Sequence, residues 1–443
     1  MNATEQLARF VLETSCQSFP ADVCHQAKRC FIDLIGVILG GCKQPLSKIL
    51  IEMIPEFDGK HQSTVLGWGL KTNVMNAALL NGSMAHALDY DDVHLGAHGH
   101  PSAPLIPAIL ALGEWKKVSG AAAMEAFVLG YEVETRIGVG IGFGHYERGW
   151  HSTSTFGRFG AAVAAGKLLG LSLDQMLCAM GLAGTQASGV RLVFGTMTKP
   201  FHAGKSASDG VMSALMAERD FTCARNILEG KKGYVEALGE GASLDRMVRG
   251  LGKEYEILNN TFKINASCLL THPIIDAVRE LRERHDLRAE QVSEISCEVS
   301  KLCMDTAGNE HPQTGLAGKF STHFCAALAL AEGFAGEEMF TDAKVLHPGM
   351  VELLKKVRVK ITSELKETEA KACITALNGE KYSTFVHYPK GDPRNPLSDK
   401  ELEEKFRSLA SVALPKEKME SLLKALWGLE KARDIGKVIR LCS

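Results

Sequence analysis

No CxxC pair occurs among the twelve cysteines of this 443-residue sequence, there is no basic excess, and no apolar run is long and uninterrupted. Without paired thiols, a zinc ribbon or an iron–sulfur cluster has no ligand set, and the scattered cysteines are expected to be reduced and packed in a cytoplasmic protein. Lys and Arg number 50 against 52 Asp and Glu, a net charge of −2. A nucleic-acid partner, which calls for a basic face, is therefore not expected. The longest apolar stretches, FIDLIGVILGG (31–41) and LAGTQASGVRLVFG (182–195), are broken by Gly or charge and fall short of the ~20 residues of a membrane span. No membrane association is expected. The first residues, MNATEQLARFVLETS, carry acids where a signal peptide has a basic start and an apolar run. Aromatic residues make up only 7%. With frequent Gly and Ala, that scarcity suits closely packed helices better than a β-sandwich.

What is present is ordinary globular material in two textures. Up to about residue 260, helical periodicity predominates: Asp22 is placed to cap a helix over 23–39, and further helices are expected over 73–90, 103–117, 121–137, 159–169, 172–185 and 205–219. Loops are expected at 89–102, 143–156 and 194–204. After residue 263, Ile295, Cys297 and Val299, and then Val357, Val359 and Ile361, alternate with polar residues as strands do. Asn378-Gly379 between two β-prone arms is a hairpin signal. KGDPRNP (390–396) reads as a linker, and Ser398 with Glu401 as a capping box. The expected organisation is mainly α: a large helical domain from both chain ends (1–262 and 391–443) with a smaller α+β domain (263–390) between them.

Several familiar motifs fail. GKS at 204–206 would need Gly at 199 to make a phosphate loop, and Lys199 stands there. GVGIGFG (138–144) spaces its glycines by two and follows no strand, so it is no dinucleotide fingerprint. The richest segment is HALDYDDVHLGAHGHPSAP (86–104), with Asp89, Asp91 and Asp92 followed by a loop holding His94, His98 and His100. Three readings stand open for it: a metal site through His98 and His100 with carboxylates, metal-free acid/base chemistry with an imidazole oriented by a carboxylate, or a polar capping loop. GWHSTSTFG (149–157) offers His151 among hydroxyls. FGTMTKPFHAG (194–204) offers Lys199 and His202 before a helix, where an ammonium can bind a carboxylate. His272, in CLLTHPIIDA (268–277), opens an otherwise apolar helix and could equally be a packed core histidine.

These segments, with NGSMAHALDYDDVH (81–94), GHPSAPLIPA (99–108), GWHSTSTFGRFGAA (149–162), GTMTKPFHAGKSASDG (195–210), KFSTHFCAAL (319–328) and GDPRNPLS (391–398), resemble the MmgE/PrpD family over nearly the whole chain. That family includes 2-methylcitrate dehydratase, cis-aconitate decarboxylase and iminodisuccinate epimerase. The resemblance implies a helical domain with an α+β lid, a homodimer, and catalysis on a small polycarboxylate with no metal and no organic cofactor. It implies Asp89, His100, His151 and His272 as catalytic residues and Lys199, with His202 beside it, as substrate-binding. His100 would transfer the proton and Asp89 would orient it. Two positions depart from the decarboxylase pattern: Val93 replaces a Thr and Phe324 a Tyr, while GHY-x-x-GWH and FGTMTKP look closer to the epimerase branch. The implied reaction is a lyase step, dehydration or decarboxylation. The alternatives are epimerisation of a dicarboxylate and a non-catalytic metabolite-binding module.

Overall fold

The structure, a computed structural model, describes residues 2–443. The described residues group into two units: one takes 2–87, 91–261 and 398–443, the other 88–90 and 262–397. In the first unit the main helices are α1 (Ala21–Gly41), α2 (Val74–His86), α3 (Ser102–Lys116), α4 (Gly120–Ile141), α5 (Gly157–Leu169), α6 (Leu173–Thr185) and α7 (Thr198–Ala217). Two short antiparallel ribbons accompany them: β1 (Ser63–Val65) with β2 (Leu70–Thr72), and β3 (Val93–His94) with β4 (Asn260–Thr261). The unit is thus helical but not purely so. Among the described residues no single helix is long and apolar enough to cross a membrane.

Small residues set the packing. Gly82 on α2 lies against α7, where an added Cβ would come within 2.7 Å of the Gly204 Cα, and a Cβ on Gly204 would collide with the Leu79 carbonyl and Ser83. Two apolar clusters fill the unit. One gathers Leu129, Val133 and Ile137 of α4 with Phe159 and Val163 of α5 and Met176 and Met180 of α6. The other joins Ala77 and Ala78, Ala108 and Ala111, Ala161 and Ala165, and Ala207, Val211 and Ala214 across α2, α3, α5 and α7. With so many alanines, the axes of these helices approach closely.

Several expected boundaries move: the helix expected over 73–90 stops at His86, and that expected over 121–137 runs to Ile141. Helix α1 starts at Ala21 after Pro20, so Asp22 sits inside the first turn and its carboxylate accepts only from the adjacent Val23 N–H (2.9 Å). Helix α7 starts at Thr198, which puts Lys199 and His202 in its opening turns and not in a loop. The reason is Pro200. It occupies the third helical position, where a missing N–H costs no intrahelical bond, so it stands in the one turn of a helix that tolerates it.

The second unit is an α+β layer. Its sheet runs β6 (Val357–Ile361), β5 (Val292–Val299), β7 (Ala370–Ala376), β8 (Lys381–Val386), with β5 and β6 parallel and the other pairs antiparallel. Gly379 takes φ +87° in the β7–β8 turn, the conformation the Asn-Gly signal calls for. Helices α8 (His272–Arg284) and α9 (Thr322–Glu332) cover the sheet, and α10 (Pro348–Leu354) packs on α9. The unit runs on to Leu397, seven residues past the expected 390, because Gly391 is held there by the Phe262 N–H bonding to its carbonyl (3.1 Å). Beyond it, the Ser398–Glu401 capping box starts the Asp399–Ala410 helix.

Candidate active site

In the helical unit the sequence-selected histidines come together. His86 closes α2, and its Nδ1 lies 3.0 and 2.8 Å from the two carboxylate oxygens of Asp91. His100 brings its Nδ1 to 3.2 Å from the same carboxylate. The rings of His86 and His100 meet edge to face at 4.4 Å. His86 in turn stacks on His151 (5.8 Å, 20°), and His151 Nδ1 contacts His202 Nδ1 at 3.0 Å. Four imidazoles therefore form one file, anchored at one end on Asp91. Lys199 is buried beside them, its Nζ 5.1 Å over the ring of Phe194, which also meets His151 edge-on.

Electrostatics fix the protonation pattern. Burial pushes His86 down to about 4; Asp91 opposes that, while Lys199 and His100 add to it. Burial, His86 and Lys199 likewise hold His151 well below its ordinary value, and burial with Arg158 and Lys199 brings His202 to about 4. Burial alone would raise the Asp91 carboxyl, but the imidazoles of His86 and His100 outweigh it and keep the acid well below the usual carboxylate range. An ionised carboxylate only accepts, so the ring nitrogen facing Asp91 carries the proton. A neutral His86 protonated at Nδ1 has its lone pair at Nε2. That Nε2, and the Nε2 of His151, are buried and bond to no described residue. Buried polar atoms left open in this way are costly and call for a visiting partner.

Acid should destabilise the fold through His86. Its neutral form is favoured in the folded state, so the unfolded chain takes up the proton first as pH falls from 6.5 towards about 4. Stability is thus fully present above that window and is lost across it, by on the order of 3 kcal/mol for a shift of this size. Urea unfolding at pH 7 and pH 4.5 measures the loss, which should shrink in His86→Gln. An equal loss in both proteins would remove His86 as its source.

The other residues of the first motif have structural partners. His94 contacts Glu256 through Nε2 (3.1 Å), and its Nδ1 accepts from the Ala97 N–H (3.1 Å). His98 takes a left-handed conformation and packs on Phe143 (4.7 Å) and Tyr146 (5.5 Å). Asp92, pushed by burial up to about 7, receives the Ser102 hydroxyl and N–H at the start of α3. The His98–His100 metal pair does not form. Ligand atoms of His86, Asp91 and His100 do lie within 4.8 Å of one another, and such a set could hold a divalent ion.

In the α+β unit, Asp89 sits at φ +50° and faces a buried lysine: Lys263 Nζ donates to the Asp89 carbonyl (2.7 Å) and lies 3.3 Å from its carboxylate. Lys319, also buried, donates to the Leu88 carbonyl and pairs with Glu337. His272 is fully buried at the head of α8. Phe324 packs edge-on against Phe340 (5.8 Å). Sequence reasoning passed over Asp91 and His86 as site residues, and Lys263 entirely. Asp91 and His86 stood in the richest motif. For Lys263, in the stretch TFKINAS, no sequence signal separated it from a solvated lysine.

The sequence pattern of the MmgE/PrpD N-terminal domain matches residues 5–247, and that of the MmgE/PrpD C-terminal domain matches residues 266–429. The chain belongs to the MmgE/PrpD family. Among its MmgE/PrpD relatives are the Cis-aconitate decarboxylase-like protein oryM of Aspergillus oryzae, 28% identical over 100% of this chain and 97% of the relative, and the Cis-aconitate decarboxylase of Aspergillus terreus, 25% identical over 99% and 95%. The mitochondrial 2-methylcitrate dehydratase of Yarrowia lipolytica is 28% identical over 54% of this chain and 48% of its own length. Both named activities are lyase reactions, so at family level this chain is a lyase-type enzyme.

Proposed function

We propose that the protein is a cofactor-independent lyase that removes water or carbon dioxide from a small polycarboxylate. The observation that carries this reading is the pair of buried, open Nε2 atoms on His86 and His151 beside the buried ammonium of Lys199. Lys199, in the first turn of α7, supplies a point charge for a substrate carboxylate, and the helix N-terminus favours the same anion. A neutral imidazole with a free lone pair removes a proton from the carbon next to a carboxylate, leaving the electron pair as an enolate; departure of hydroxide, protonated as it leaves, completes dehydration. In decarboxylation, the bond to carbon dioxide supplies the electron pair instead, and an imidazolium returns a proton to the carbon. His100 is assigned the proton transfer, with Asp91 positioning it and His86. Asp89 and His272 are assigned to the reaction on the family resemblance, as are the cytoplasmic setting and the homodimer.

The stacking of His86 on His151 also favours a second reading, epimerisation, in which two imidazoles serve opposite faces of one carbon. Incubating the protein in heavy water with cis-aconitate, 2-methylcitrate and a panel of dicarboxylates decides between them. Product lacking water or carbon dioxide supports the lyase. Deuterium in otherwise unchanged acid supports the epimerase. Activity on any of them should survive exhaustive chelation; loss on chelation, restored by one divalent metal, would replace the metal-free mechanism.

Lys199→Ala is expected to raise KM for that substrate by about 10–100-fold, the worth of a charge-assisted bond of ~1.5–3 kcal/mol. Lys199→Arg should recover only part of this, because a planar fork does not replace a compact ammonium. Steady-state kinetics with both variants provide the check, and wild-type KM in both would make Lys199 a bystander.

A further inference from the structure

Arg158, in the first turn of α5, is a guanidinium that the reaction above leaves unused, and it is only 2% exposed. Its Nε donates to the carboxylate of Asp209 on α7 (2.9 Å), an equally buried acid whose other oxygen pairs with Lys205. The rest of the fork reaches two stretches of chain. Nη1 donates to the Ser154 carbonyl, to the Ser154 hydroxyl (3.2 Å) and, at longer range, to the Ser188 carbonyl (3.4 Å); Nη2 donates to the Ser188 hydroxyl (3.0 Å). For stability alone, an apolar pair of the same volume would serve as well. What a guanidinium adds is direction, because its donors leave a rigid plane at fixed angles.

The two stretches it joins are the ones that grip His151. The His151 N–H donates to the carbonyl of Gly189 (3.0 Å), next to Ser188, and the Arg191 N–H returns to the Gly149 carbonyl (2.8 Å), so 189–191 runs antiparallel along 149–151. The His151 carbonyl in turn accepts from the N–H groups of Ser154 and Thr155 (2.8 and 3.1 Å). Gly189, at φ +107°, lets a second ring come close: an added Cβ would stand 3.1 Å from His202 Nδ1 and 2.6 Å from the Ser154 hydroxyl oxygen. That same His202 Nδ1 meets His151 Nδ1 at 3.0 Å. We propose that Arg158 is a positioning residue: its fork ties the Ser188–Gly189 corner to the Ser152–Thr155 turn and so sets where the rings of His151 and His202 stand. The proposal rests on the reading that the imidazole file carries the reaction.

Three variants of the full chain test it, by steady-state kinetics, calorimetric melting and imidazole NMR without substrate. Arg158→Lys keeps a cation for Asp209 but cannot reach Ser154 and Ser188 together. Arg158→Met/Asp209→Asn removes both charges, so no buried carboxylate is stranded without its guanidinium. Ser188→Ala, at an exposed position, takes away only the Nη2 partner. The first two should lose kcat about 10–100-fold and Ser188→Ala about two- to fivefold, with KM near wild type because Lys199 lies outside the clamp. In Arg158→Lys the ring signals of His151 and His202 should move while the His202 midpoint stays low. Burial, the cation kept at 158 on α5 and Lys199 on α7 still hold it there, and His151 beside it stays neutral. In the double variant that midpoint should rise. Unmoved ring signals in Arg158→Lys overturn the proposal, as do wild-type kcat in that variant when His151→Ala is slow, or a kcat loss that a fall in melting temperature accounts for. Ser188→Ala gives the same readings should either of the others fail to fold. Wild-type kcat in His151→Ala takes the file out of the reaction instead, and leaves the clamp to stand on the ring signals.

Discussion

Asp91→Asn is expected to lower kcat by about 10³–10⁴-fold, the effect seen when a carboxylate that sets an imidazole's tautomer is replaced by an amide. Asp91 faces the Nδ1 atoms of both His86 and His100, at 2.8 and 3.2 Å. An amide offers one acceptor and one donor, so it cannot receive two ring N–H groups; where His86 turns over, it loses its open Nε2. The negative charge that offsets burial of His86 is lost as well, so that ring should resist protonation more strongly. KM should move little, because Asp91 does not belong to the carboxylate-binding side. A pH–rate profile separates this from simple loosening: the limb assigned to the imidazoles should shift to lower pH along with the fall in kcat. An Asp91→Asn enzyme that keeps wild-type kcat would leave the carboxylate a purely structural group.

His100→Ala should lower kcat by about 10²–10⁴-fold, the range for a positioned acid or base, with little change in melting temperature. His98→Ala is the internal comparison. Its ring packs on Phe143 and Tyr146, so its removal should cost some loop order and leave the rate within a few-fold of wild type. The two residues are separated only by Gly99 and share the same loop, and a general disturbance of that loop would affect both equally. Divergent rates with similar melting curves are therefore the informative outcome. Equal losses in rate, or a melting drop large enough to explain the loss, would take His100 out of the chemistry.

Much of this architecture was legible because it rests on local physics. The Asn378-Gly379 turn, the Ser398–Glu401 box and the alternation at 295–299 are short-range patterns, and each appears where the sequence put it. The expected set was Asp89, His100, His151, Lys199, His202 and His272, read from motif chemistry rather than from any one residue; of these the helical unit groups His100, His151, Lys199 and His202. What stayed hidden depended on backbone direction. Asp89 and Asp91 stand two residues apart in the same run of acids. Asp89 takes a positive φ, Leu88–Tyr90 group with the α+β unit, and there Asp89 meets Lys263, a lysine that no local pattern picks out. The loop expected over 194–204 gives way to helix from Thr198, because Pro200 falls in the opening turn, where a proline is tolerated. His86 lay inside the helix expected over 73–90, and only the fold of the loop that follows it brings a carboxylate to its ring.

The Gly82–Gly204 crossing bears on how accurately the imidazole file is assembled. Gly82 lies one turn before His86 on its helix, and Gly204 follows Lys199 and His202 by a few residues on the other. The spacing between His86 and the charge that would bind substrate is therefore measured backbone to backbone, with no side chain in between to adjust. Such a contact works like a machined stop. It leaves no slack, and it gives selection nothing to tune except presence or absence. One added methyl, as in Gly204→Ala, should push the two halves of the file apart by a fraction of an ångström and cost about 1–3 kcal/mol in overpacking. Turnover should fall more than that loss of stability explains, since catalytic placement tolerates little displacement. Calorimetric melting and kcat, measured on the same preparation, would show whether the two effects separate.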